Sequence, residues 1–81
     1  MDVEQKRVAP RRRVLKAGLI AFEGTTVDCT LRNISMGGAG IELRSLVETP
    51  AAFRLIVQTD NFIHLCHVAW RNGQRLGVKF T

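Results

Sequence analysis

From Val14 onward, apolar and polar residues alternate in short runs separated by turn residues. Val14 to Phe22 is the first run, ended by Glu23-Gly24. Thr25 to Ile34 is the second. Within it Val27, Cys29 and Leu31 point one way and Asp28, Thr30 and Arg32 the other, the period of two that marks a half-buried strand. Ser35 to Gly40 holds three glycines and predicts a turn or bulge. Ile41 and Leu43 then alternate with Glu42 and Arg44, and Thr49-Pro50 breaks the chain. Phe53, Leu55 and Val57 alternate with Arg54, Ile56 and Gln58, and Asp60-Asn61 predicts a turn. Phe62 to Trp70 is a long run, and Asn72-Gly73 is a hairpin signal. Leu76, Val78 and Phe80 close the series, alternating with Gly77 and Lys79.

This pattern predicts six strands and almost no helix, save one short helical turn within residues 45–52. So many strands in so few residues imply an antiparallel sheet that closes on itself, because closure removes the edges that would otherwise aggregate. The expected fold is all-β, a small six-stranded antiparallel barrel over residues 14–81. Residues 1–13 lack periodicity, and Pro10 disfavours helix at Ala9, so they are expected to form an extended arm.

Eighty-one residues allow one domain. A chain this short buries only roughly 60% of its unfolded surface, which leaves little room for a dry catalytic pocket beside the core. The composition therefore weighs against an enzyme. At 46% hydrophobic residues the chain is too apolar for a disordered segment. Cys29 and Cys66 cannot make a disulfide scaffold and are expected to be small buried thiols in a reducing compartment. No apolar run is long enough to cross a bilayer, and nothing behind the charged N-terminus resembles a signal peptide, so the expectation is a soluble cytoplasmic protein.

Charge changes the picture. The net charge is +5, and six of the twelve basic residues fall between positions 6 and 16: Lys6, Arg7, Arg11, Arg12, Arg13 and Lys16. The acids are spread along the chain. A concentrated basic segment implies an anionic partner, such as phosphate or nucleic acid.

Two short motifs sharpen this. Arg7-Val-Ala-Pro-Arg11 is an R-x-x-x-R immediately before the first strand, and Asn33-Ile-Ser35-Met-Gly-Gly38 is an N-x-S-x-x-G at the end of the second. In this order, flanking the first hairpin of a six-stranded barrel, they resemble the PilZ domain, the bacterial receptor module for cyclic di-GMP. His67-Val-Ala-Trp70 followed by Gly77-Val-Lys-Phe80 is similar to that family's last hairpin. The resemblance spans residues 6 to 80. It implies a PilZ-like barrel with a nucleotide site on its outer surface, no cofactor, and ligand contacts from Arg7, Arg11, Asn33, Ser35 and Gly38. Lys6 and Arg12 are second-tier candidates. An offset pair, Arg12 and Lys16, is the alternative register of the arginine motif.

The chemistry suits such a ligand. Cyclic di-GMP offers two phosphodiesters and two guanines. A guanidinium can fork onto a phosphate, pair with guanine O6 and N7, or stack on a purine; lysine cannot fork or stack in the same way. Asn33 and Ser35 can hydrogen-bond a base edge or phosphate, or fix the turn. Gly38 is expected to supply φ freedom and to let backbone N–H groups approach the ligand.

Other chemistries fit less well. His64 and Cys66 share a strand face while His67 points away, so no metal site converges there. The glycines match neither a Walker loop nor a dinucleotide fingerprint, and Ser35 lacks a nucleophile-elbow context. Trp70 is expected to pack in the core or at the barrel rim. The leading expectation is a cyclic di-GMP receptor whose arm orders on the ligand and signals to an unknown downstream protein, without membrane insertion. Two alternatives stand behind it: a small single-stranded nucleic-acid-binding barrel, and a ligand-free PilZ-like scaffold for protein contact. Nucleic acid ranks lower because aromatics are only 6% of the chain.

Overall fold

The computed structural model describes residues 12–81, with side chains from Arg13 onward. Lys6, Arg7, Arg11 and most of the expected arm lie outside the described residues, and of Arg12 only the backbone is described. Six strands follow one another: β1 (Arg12–Phe22), β2 (Thr25–Ile34), β3 (Gly38–Leu43), β4 (Ala52–Val57), β5 (Phe62–Asn72) and β6 (Arg75–Phe80). The first strand thus begins at Arg12, two residues ahead of the expected Val14 boundary.

Local turn chemistry explains the hairpins. Phe22 pairs with Thr25 across Glu23 (φ 51°) and Gly24 (φ 74°), two left-handed residues that match the twist of the flanking strands in a type I′ turn. Asn72 pairs with Arg75 across Gly73-Gln74, where Gly73 alone has positive φ (62°), the type II′ pattern. Between β4 and β5 a single 3-10 turn, Gln58–Asp60, ends on left-handed Asn61 (φ 53°). The short helical turn expected within 45–52 does not form. That segment is irregular coil: Pro50 disfavours helix at Thr49, and Arg71 holds the chain by donating to the Thr49 hydroxyl (2.6 Å) and to the carbonyls of Thr49 (2.9 Å) and Pro50 (3.2 Å).

The strands close into a barrel in the order β1-β2-β3-β6-β5-β4, antiparallel at every junction. Two three-stranded meanders, β1–β3 and β4–β6, are joined edge to edge. One junction, β3 to β6, runs from Gly38–Lys79 to Glu42–Arg75. The other is shorter: β1 meets β4 only over Leu19–Ala21.

Inward-facing residues of all six strands fill the interior, with Ile20, Leu31, Ile41, Leu55, Leu76 and Val78 at most 2% exposed. In β2, β3, β4 and β6 these are the faces that the period of two marks. Cys29 and Cys66 join this core as free thiols, and burial pushes both up from 9.0 to about 11. Among the described residues no helix is long and apolar enough to cross a membrane.

Candidate anion-binding site

Strand pairing builds the site. Arg12 faces Ile34 and Arg13 faces Asn33, so the chain enters β1 beside the Asn33–Gly38 segment. From Arg13 a row of paired residues crosses five strands: Arg13–Asn33–Gly40–Gly77–Trp70. Three of these strands are irregular along this row, with register shifts at Arg13/Lys16 in β1, Leu31/Asn33 in β2 and Val68/Trp70 in β5.

The bulges decide which side chains reach the outer wall. Counting by twos from buried Cys29 and Leu31 would send Asn33 into the barrel. The bulge turns it outward beside Arg32, and Ile34 resumes the inward set. Counting from Cys66 and Val68 would likewise bury Trp70, but the β5 bulge leaves it outside and 49% exposed. Trp70 therefore packs on the barrel wall rather than in the core.

Two glycines let these flat groups lie against the sheet. A Cβ on Gly40 would meet the Asn33 amide nitrogen at 2.7 Å, and one on Gly77 would collide with the Trp70 indole. Asn33 and Trp70 lie over adjacent, paired glycines, and both line a small recess with Arg32 and Arg75. Next to it opens a recess of about 500 Å³, lined by Arg13, Val14, Leu15, Arg32, Asn33 and Arg75. Its size is that of a small-molecule site.

The lining is basic. Arg32 Nη1 donates to Glu42 Oε1 at 3.0 Å, and Arg75 Nε lies 3.7 Å from the same oxygen. Glu42 sits on β3 between the strands of its two partners. All three side chains are about a third to a half exposed, so each pair contributes only about 0–1 kcal/mol. With Arg13, three guanidiniums line the recess, and Glu42 pairs with two of them from outside its lining. Such a surface favours a polyanion, and a flat purine could lie on the exposed indole.

Ser35 and Gly38 shape the turn that follows Asn33. The Ser35 N–H donates to the Gly38 carbonyl at 2.8 Å, and its hydroxyl lies 3.4 Å from the same oxygen. Gly38 has no positive φ. Its Cβ would instead collide with the Val78 carbonyl, so close packing of β3 on β6, not φ freedom, requires glycine there. Asn33 thus lines the recess, while Ser35 and Gly38 build the adjoining turn. In the alternative register, Lys16 is held by Asp60 at 2.7 Å, and that contact lowers the Asp60 carboxyl below its ordinary value.

His64 packs its ring 5.0 Å from Phe62 and 5.3 Å from Phe80, while Cys66 is buried. Among the described residues no three metal-binding side chains converge. Arg32, Arg75 and Trp70 were absent from the sequence-derived site. Only the unexplained glycines at 40 and 77, inside apolar strand patterns, hint at the side chains that cover them.

Residues 5–81 match the family model described as PilZ domain. No curated protein matches the chain.

Proposed function

The chain belongs to the PilZ domain family, and from that premise we propose that it is a cyclic di-GMP receptor without catalytic activity of its own. One observation carries this reading. Strand pairing sets Arg12 and Arg13, which follow the R-x-x-x-R motif directly in sequence, opposite Ile34 and Asn33, and Arg13 and Asn33 line a basic recess.

Arg7 and Arg11 grip phosphate and guanine from the leader, with Lys6 and Arg12 in support. Asn33 meets a base edge or phosphate at the wall, and Ser35 and Gly38 hold the turn that presents it. Ligand binding orders the leader against the barrel, and the new surface is read by a partner protein. The free, buried thiols fit a reducing compartment, and the proposal places the chain in the cytoplasm. The nucleic-acid reading is weakened by the aromatics: Phe22, Phe62 and Phe80 pack against the core and Phe53 lies in it, leaving Trp70 as the exposed ring.

Calorimetric titration with cyclic di-GMP tests the proposal. Arg7→Ala and Arg11→Ala are each expected to weaken binding at least about tenfold, since a charge-assisted contact contributes roughly 1.5–3 kcal/mol. Arg44→Ala, exposed at the end of β3, is expected to bind as the wild type does. Equal, small effects from all three variants would rule out an arginine clamp, and no response at all would favour the ligand-free scaffold.

A further inference from the structure

The family motifs do not use Arg32 or Arg75. Both nevertheless line the two recesses, on either side of β3, and both face the same oxygen of Glu42. Glu42 pairs in register with Arg75 and lies one strand from Arg32. One carboxylate cannot neutralise two guanidiniums, so the trio keeps a net positive charge. Its members are partly exposed, which leaves the carboxylate open to competition. A phosphodiester can fork onto a guanidinium as a carboxylate does.

We propose that Arg32 and Arg75 form a second phosphate subsite on the barrel wall, with Glu42 as the built-in counter-anion that an incoming phosphate displaces. The identity of the ligand rests on the receptor reading above. On that reading the leader arginines take one phosphate of cyclic di-GMP and the wall arginines take the other. Glu42 has two opposing effects. It keeps the two guanidiniums from repelling each other in the empty site and holds both at the recess. It also weakens binding, because its contacts must be released. Replacing it with glutamine therefore strengthens binding, whereas a purely positioning role predicts the reverse.

The test compares wild type, Glu42→Gln, Arg75→Gln and Arg44→Gln, with cyclic di-GMP and, separately, inorganic pyrophosphate as probes. Binding is followed by calorimetry and by the fluorescence of Trp70, the sole tryptophan, which lines the recess with Arg75. Circular dichroism checks that each variant is folded. At low salt Glu42→Gln is expected to bind about fivefold tighter, one exposed ion pair's worth. That gain should shrink at high salt as screening grows. Arg75→Gln is expected to bind about tenfold more weakly, and Arg44→Gln as wild type. Unchanged or weaker binding by Glu42→Gln, or wild-type binding by Arg75→Gln, overturns the subsite. Should wild type ignore cyclic di-GMP yet answer pyrophosphate with the same ranking of variants, the receptor reading falls and the subsite stands. Silence toward both probes ends both.

Discussion

Gly38 and Gly77 are glycines for different reasons, and substitution should separate them. The obstacle at Gly38 is the Val78 carbonyl, part of a paired strand that cannot step aside. Gly38→Ala is expected to lower stability by about 1–3 kcal/mol or more, measured as a reduced urea midpoint. The obstacle at Gly77 is the Trp70 ring, a side chain half in solvent, which can swing away. The motif around Asn33, Ser35 and Gly38 was legible as a unit, because short polar residues and glycine in that order mark a special turn. The reason for its last glycine was not legible. It depends on a strand forty residues further along, and nothing local signals that approach.

At the scale of elements, apolar runs and turn signals identified all six strands, and alternation marked the buried face of β2, β3, β4 and β6. It could not reveal the bulges, where the count of two slips by one, and so it left Asn33 unassigned and sent Trp70 to the core or rim. Arg32 and Arg75 escaped notice for a related reason. They become neighbours only through the pairing of β2 with β3 and of β3 with β6, and the second of these joins distant parts of the chain. The segment between β3 and β4 shows a different failure. A helical turn was expected there, but Pro50 disfavours helix at Thr49 and Arg71 on β5 anchors the chain through the Thr49 and Pro50 groups. Arg71→Ala is expected to cost about 0.5–1.5 kcal/mol and to speed amide exchange in residues 46–51. Affinity for cyclic di-GMP should not change. A large loss of binding would mean that this segment belongs to the site.

For the molecule as a whole, the two core thiols contribute a loss of stability at alkaline pH. Their folded pKa values, about 11, lie above the ordinary 9.0, so the folded state holds these protons more tightly than the unfolded chain does. That stability is fully present below pH 9 and is lost as pH rises from about 9 to about 11. Urea midpoints measured across this window should fall, and a Cys29→Ala/Cys66→Ala variant should show a shallower decline, whatever its starting stability. Composition and strand number pointed to closure of the sheet, since closing removes the edges that six strands in so short a chain would otherwise expose. The order of strands around the barrel was not legible, because it depends on which meander edges meet. The two junctions that settle this are unequal. Next to the long β1–β2 ladder, the β1–β4 junction holds three paired positions. Parting that clasp unrolls the cylinder into a flat ribbon with β1 and β4 as naked borders. That opening breaks few ladder hydrogen bonds but uncovers Ile20 and Leu55, so it is core burial more than the ladder that keeps those naked borders from recruiting further chains.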